Sequence, residues 1–152
     1  MENNRKQTLE QQIAALFASQ DLAVLSTQKN NQPYASLVAF TVSSDLTLLY
    51  FLTPTTTRKY DHLTANPPVS ILVHDSQNQA DDIYRAVSVT GTGVAAVVDK
   101  EKEKEALALF LKKHPHLNEF SRAPTTAFIC ITMHRYYMVS RFQNVVELEI
   151  SP

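Results

Sequence analysis

The sequence predicts an α+β fold, mainly β, in which six or seven antiparallel strands curl into a barrel or barrel-like sheet flanked by three helices. Two observations carry this expectation. Short apolar runs of strand length recur along the chain between polar turns, and only three stretches place apolar residues at helical spacing. Length supplies a third: 152 residues with 44% hydrophobic content suffice for one domain with a real core and are too few for two. One domain over residues 1–152 is therefore expected.

Thr8-Leu9-Glu10-Gln11 reads as a capping box, and Leu9, Ile13, Leu16 and Phe17 follow at helical spacing, which predicts an amphipathic helix over 9–19. Leu22 to Ser26 is a short strand, Lys29-Asn30-Asn31-Gln32 a polar hairpin turn, and Pro33 to Val42 a longer strand. That strand alternates Ala35, Leu37, Ala39 and Thr41 with Ser36, Val38, Phe40 and Val42, so neither face is polar. The next, Leu48 to Thr53, repeats the pattern, with Leu46, Leu48, Tyr50 and Leu52 on one side and Leu49 and Phe51 on the other. Two neighbouring strands that are apolar on both faces need two partners. One is the core; the other is a covering helix, a bound planar ligand or a second subunit. Because the N-terminal helix can cover only part of that area, a dimer with a ligand where the second face meets its mate is expected.

The strand Leu48–Thr53 runs into Pro54 and three threonines, and the chain turns basic at Arg58-Lys59 as a short helical pattern begins. Asn66-Pro67-Pro68 stops that helix. Thr57 occupies the N-cap position, where its hydroxyl can accept from an early amide while the other first-turn N–H groups stay free. Two cations beside free donors at the positive end of a helix dipole suit a phosphate. Charge-assisted hydrogen bonds there are worth about 1.5–3 kcal/mol each, against ~0.3–1 kcal/mol for the dipole, so Arg58 and Lys59 would dominate affinity. Threonine caps with basic first turns also occur on ordinary surface helices, so the motif gains weight only from its company.

Val69 to Val73 continues as a strand, and DSQNQADD (75–82) is a solvated loop. Tyr84 to Val98 is a long strand that carries both glycines of the protein, Gly91 and Gly93, on one face, which predicts a bend or bulge. Asp99 is placed to cap a helix that begins KEKEKEALALFLKKH, with Leu107, Phe110 and Leu111 as its packed face. Pro115 ends it, a short helical or irregular piece runs from Leu117 to Arg122, and Pro124 precedes a strand Ala127–Met133. A last strand pair, Tyr136–Val139 and Val145–Ile150, completes the chain.

Composition excludes several classes. Lys+Arg 14 against Asp+Glu 15 leaves a formal charge of −1, without the basic excess of a nucleic-acid or anionic-membrane binder. No apolar run approaches the ~20 residues that cross a bilayer. A single cysteine and a polar N-terminus, MENNRKQTLEQQ, point to a reducing compartment, the cytoplasm. The five histidines show no metal-ligand spacing; His114-Pro115-His116 reads as a helix terminus and Cys130 as a small core residue. No serine lies in a nucleophile-elbow setting and no carboxylate pair suggests glycosidase chemistry. With no convincing side-chain catalyst, any chemistry falls to a cofactor.

The succession QPYASLVAF, LLYFLTPTTTRKYDHLTANPPVSILV and YRAVSVTGTG resembles the FMN-binding split-barrel family typified by pyridoxamine 5′-phosphate oxidase, over about residues 20–98. YYMVSRF near the end is similar, more weakly, to the haem-utilisation branch of that superfamily. The resemblance implies a Greek-key split β-barrel and a homodimer with flavin at the subunit interface. It implies that Arg58 and Lys59 bind the FMN phosphate with Thr57 in support. Ser36, Leu37 and Val38 would run beside the isoalloxazine, mainly through backbone groups, with Leu52 and Thr53 along its other edge.

The chain departs from the oxidase pattern at Arg85-Ala86-Val87, where a glutamine is absent, and at Thr41, where the oxidase has a lysine. It also contains no Trp and has no counterpart of the oxidase's carboxy-terminal segment, which points away from vitamin B6 oxidation. The expectation is an FMN-dependent oxidoreductase of an unknown small-molecule substrate, with Tyr84, Arg85 and Tyr137 as the proton donors that can be named. One alternative is a flavin- or haem-binding storage or sensing module, with His74 or His134 as haem ligand. Another is a dimeric interaction module that has lost its cofactor.

Overall fold

Asn30 and Asn31 set the first register. Both have positive φ, 53° and 64°, the pair of left-handed residues that a two-residue hairpin turn needs and that asparagine tolerates. The computed structural model, which describes residues 1–150, pairs β1 (Leu22–Lys29) with β2 (Gln32–Val42) from Lys29↔Gln32 to Leu22↔Ala39. β2 continues to β3 (Leu48–Pro54), while β4 (Pro68–His74) lies on the other side of β1, followed by β5 (Ser88–Val98) and β6 (Thr126–Ser140), all antiparallel. A fourth strand returning beside the first after a three-strand meander is a Greek key. The first half of β6 pairs with β3, from Pro54↔Thr126 to Leu48↔Thr132, and closes a six-stranded barrel. From Arg135 onward, β6 leaves β3 and pairs with β7 (Asn144–Glu149) instead. One 15-residue strand thus replaces the two expected over 127–139, and its change of partner splits the barrel.

A bulge marks that change. Thr92 pairs with Arg135 and Gly93 with Met133, so His134 is the extra residue. Gly93 is required for close approach: a Cβ there would strike the Thr132 carbonyl oxygen and lie 2.8 Å from Ile131 Cγ2.

Helix α1 (Glu2–Ser19) buries Leu9, Ile13, Leu16 and Phe17, the residues its spacing singled out, against the barrel interior. Phe17 meets Phe40 and Tyr136 edge-on, at 5.6 and 5.5 Å between ring centres. The expected capping box is not formed. The helix starts seven residues earlier than Leu9, because no Gly or Pro interrupts the run from Glu2 to Thr8, and the Thr8 hydroxyl donates back to the Asn4 carbonyl at 2.8 Å.

Three further boundaries differ from expectation. Asp82–Arg85 forms a short helix, α3, in place of a strand start, since the Asp82 carboxylate accepts from the Gln77 and Gln79 amides and turns the loop. Asp99 closes a turn with Glu101, Lys102 and Glu103, so α4 begins at Lys104 (Lys104–Lys113). Leu46 lies in the β2–β3 turn at φ 65°, outside the strand.

The second apolar face of β3 is covered by the chain itself. Tyr50, Leu52, Phe128 and Cys130 pack beneath Phe110 of α4, with Leu107, Leu111 and Phe120 of α5 (Asn118–Arg122) beside them. His114 at the α4 terminus donates to the Phe40 carbonyl at 2.8 Å, and Lys113 donates to the Phe17 carbonyl at 2.9 Å. Neither ligand nor second subunit is needed to bury β3. On β2 and its neighbours the outward face stays open: Leu37 and Leu22 are 64% and 51% exposed, and Leu37, Val24 and Leu72 lie in one row across β2, β1 and β4.

Candidate functional site

Between β3 and the helix that follows it, the chain is held by threonine hydroxyls. Thr57 is the N-cap of α2 (Arg58–Ala65); its hydroxyl accepts from the Tyr60 amide at 3.3 Å, donates to the Pro54 carbonyl at 3.0 Å and lies 2.8 Å from the Thr53 hydroxyl. Leu63 and His62 bury the inner side of α2, with His62 Nδ1 3.1 Å from the Thr27 hydroxyl. This fixes the helix and turns its first residues outward. Among the described residues, the Arg58 and Lys59 amides have no intramolecular acceptor and neither side chain forms an ion pair. Asp61, the carboxylate of that turn, is taken by Lys29 at 2.7 Å, a hydrogen bond that holds its carboxyl below the usual range. Two cations and two donors are left for an outside anion.

The sheet opens at the same place. β2 and β3 pair at Phe40↔Phe51, Thr41↔Tyr50 and Val42↔Leu49, and the ladder stops there although both strands continue. Ser36 to Ala39 therefore present a backbone edge with no strand partner on the β3 side, and Leu52 and Thr53 do the same from the β3 side. Unpaired edges of this kind bind whatever offers matching donors and acceptors. The Phe40–Phe51 pair closes one end of this seam. Helix α2 stands at the other, where the Arg58 guanidinium lies 5.4 Å above the Tyr34 ring of β2.

The structure thus brings together the residues expected at the site. Thr53, Thr57, Arg58 and Lys59 form one contiguous group, and Ser36, Leu37 and Val38 line the facing edge. Their side chains divide: Val38 and Ser36 point inward, whereas Leu37 points out. The Ser36 hydroxyl is buried without a hydrogen-bond partner among the described residues, an unmet capacity beside the seam. Leu52 turns its side chain away under α4, so only its backbone faces β2. The sequence reading missed Tyr34, Thr27 and His62. Tyr34 lies seven residues from Thr41 within the same strand, yet its contacts to Arg58 and His62 cross to α2 and leave no local signal.

Tyr84, Arg85 and Tyr137 share no hydrogen bond, ion pair or ring contact with Arg58 or Lys59 among the described residues. The Tyr84 ring lies tilted against Phe142 at 5.3 Å between centres and lines, with Arg85 and Arg141, a cleft of about 650 Å3 against α1. His134, exposed on the bulge, lines a separate cleft of about 590 Å3 on the outer side of β1, β4 and β5. His74 is also exposed, with its Nδ1 2.9 Å from the Ser76 hydroxyl. Burial raises the Cys130 thiol pKa, in keeping with a packing residue. Among the described residues no group of three His, Cys, Asp or Glu converges on a metal position, and no helix is long and apolar enough to cross a membrane.

Known proteins share this architecture. Structural neighbours include a haem-binding protein from Mycobacterium smegmatis, 18% identical with a TM-score of 0.79, covering 92% of this chain and 56% of that one. General Stress Protein 26 from Bacillus anthracis is 20% identical with a TM-score of 0.69, covering 93% of this chain and 98% of that one. HutZ, the haem storage protein of Vibrio cholerae, is 18% identical with a TM-score of 0.72, covering 83% of this chain and 90% of that one. At these identities the likeness shows the fold. No curated protein matches the chain. The family model for pyridoxamine 5′-phosphate oxidase matches residues 9–140, most of the barrel with the seam and α2 included, and the chain belongs to the pyridoxamine 5′-phosphate oxidase family.

Proposed function

We propose that the chain is an FMN-binding flavoprotein that works as a homodimer and acts as an oxidoreductase on a small molecule. One observation carries this reading: a strand seam with free backbone edges ends at a helix start whose two cations and two amides lack internal partners. The FMN phosphate would take Arg58, Lys59 and the first-turn N–H groups, with Thr57 holding the turn in place. The isoalloxazine would lie along Ser36–Val38 on one side and Leu52–Thr53 on the other, and the Ser36 hydroxyl is a donor within that edge. When bound, the flavin supplies hydride acceptance and donation. The protein's own contribution is to orient the ring by backbone hydrogen bonds and to exclude water from it. The open face around Leu37, Leu22, Val24 and Leu72 supports the second copy, which would cover the seam as well.

The test is a titration of the purified protein with FMN, followed by quenching of flavin fluorescence, with mass measured by light scattering. Wild type is expected to bind as a dimer, and Arg58→Ala with Lys59→Ala to lose at least about tenfold in affinity. Unchanged affinity in the double variant refutes the site. Anaerobic reduction by nicotinamide donors then separates an oxidoreductase from a flavin store.

A specific observation also favours a second reading, haem storage or sensing. The His134 ring is exposed on the β6 bulge with no hydrogen-bond partner for its nitrogens among the described residues, beside an outer cleft large enough to admit part of a macrocycle. A haem titration of wild type and His134→Ala decides it by the Soret band.

A further inference from the structure

We infer that Tyr34 is a positioning residue for the anion site: its ring holds the Arg58 guanidinium at the mouth of the seam, and His62 and Thr27 in turn hold the ring. The inference rests on the flavin reading for its ligand and on the structure alone for its geometry. Arg58 is an exposed side chain with no ion pair among the described residues, so it would otherwise sample many rotamers, and binding would have to freeze them. The structure gives it one partner, the face of Tyr34 at 5.4 Å, within the range of a cation–π contact. Tyr34 is half-buried and cannot swing freely, because the His62 ring meets it edge-on at 5.6 Å. His62 is itself buried and tied by its Nδ1 to the Thr27 hydroxyl at 3.1 Å.

Register makes the arrangement cohere. Tyr34 and Thr27 are direct partners across β1 and β2, so their side chains share a face, and His62 projects from α2 onto both. The guanidinium that must meet a phosphate is therefore stacked on a platform built from three other residues, two strands and the helix that bears it. An arginine so held keeps its fork of donors pointed outward and loses less freedom when an anion arrives.

The experiment measures FMN affinity by fluorescence quenching for wild type, Tyr34→Leu, Tyr34→Phe, Arg58→Ala and the pair Tyr34→Leu with Arg58→Ala. NMR spectra of the ligand-free wild type and Tyr34→Leu are recorded beside them. Tyr34→Leu is expected to weaken FMN by about two- to fivefold, Tyr34→Phe to retain wild-type affinity, and Tyr34→Leu to add nothing once Arg58 is alanine. In ligand-free wild type the Arg58 δ-methylene protons should resonate upfield of their random-coil position through the ring current, and return to it in Tyr34→Leu. Additive losses in the double variant, a loss in Tyr34→Phe equal to that in Tyr34→Leu, or random-coil Arg58 shifts in wild type would overturn the positioning role. A wild type that binds no FMN, with the upfield shift present, would instead overturn the flavin reading and leave the platform standing.

Discussion

Replacing Thr57 by alanine tests the turn on which the site depends. The hydroxyl it removes makes three contacts: acceptance from the Tyr60 amide, donation to the Pro54 carbonyl and the 2.8 Å contact with Thr53. Loss of a threonine N-cap costs about 0.5–2 kcal/mol. The Thr53 hydroxyl, 1% exposed as a residue, keeps the Pro54 carbonyl at 3.3 Å as its acceptor, so it is not left orphaned and adds little. The Tyr60 contact is long, which also tempers the loss, but the Pro54 bond ties β3 to α2 and its removal moves the total toward the upper half of that range. About 1–2 kcal/mol in a domain of this size corresponds to a melting temperature lower by roughly 2–8 °C. Affinity for FMN should fall in step, because the amides of a frayed first turn no longer converge. Thermal unfolding by circular dichroism, with and without FMN, reads both effects, and Thr57→Ser should restore both. A Thr57→Ala protein that melts within about 1 °C of wild type and binds FMN equally well would refute the reasoning.

Gly93→Ala should be more damaging than Gly91→Ala, as measured by urea unfolding. At Gly93 the methyl meets the fixed Thr132 carbonyl, an overpacking cost of about 1–3 kcal/mol or more, whereas at Gly91 it meets side chains that can shift, the Met133 terminus at 2.5 Å and the edge of the Tyr136 ring at 2.8 Å. Leu37→Asp should convert the proposed dimer to monomer in light scattering without lowering the melting temperature of the monomer, since Leu37 is 64% exposed; a persistent dimer would place the interface elsewhere. Burial pushes the Lys113 ammonium down to about 8, even though the Phe17 carbonyl and the Phe40 ring at 3.9 Å favour its charged form. Desolvation outweighs both because the amine is partly withdrawn from water. The folded state then releases this proton before the unfolded chain does, so stability should rise between about pH 8 and the ordinary lysine value of 10.5. Lys113→Met should flatten that rise.

Much of this protein is legible in its residues because the signals act over a few positions. The Asn30-Asn31 pair sets a hairpin through its own backbone preference. Thr57 caps the helix that begins at the next residue through an amide three positions on, the proline pair at 67–68 ends that helix, and apolar alternation marks each strand. Arg58 and Lys59 stand out as the candidate anion site because a helix start and two cations are local facts. The helix boundaries misread at Thr8, Tyr84 and Asp99 were also local. In each, a side-chain oxygen bonded a neighbouring backbone group in a turn or within a helix, and a pattern match reads that bond as a cap or overlooks it.

What only the tertiary structure decided involves residues far apart in sequence. Whether α4 or a second subunit buries the outer face of β3 depends on where a helix some fifty residues later comes to rest, and periodicity reveals that it has an apolar side but not what that side meets. The bulge at His134 lets β6 exchange β3 for β7, a choice between two partners for one strand edge. The seam between β2 and β3 exists because barrel closure carries the strands apart after three paired positions, and Tyr34 reaches Arg58 and His62 only across that closure. Local preference specifies which backbone conformations are affordable; the geometry of closing six strands around one core decides which edges remain unpaired, and the candidate site is built from those edges.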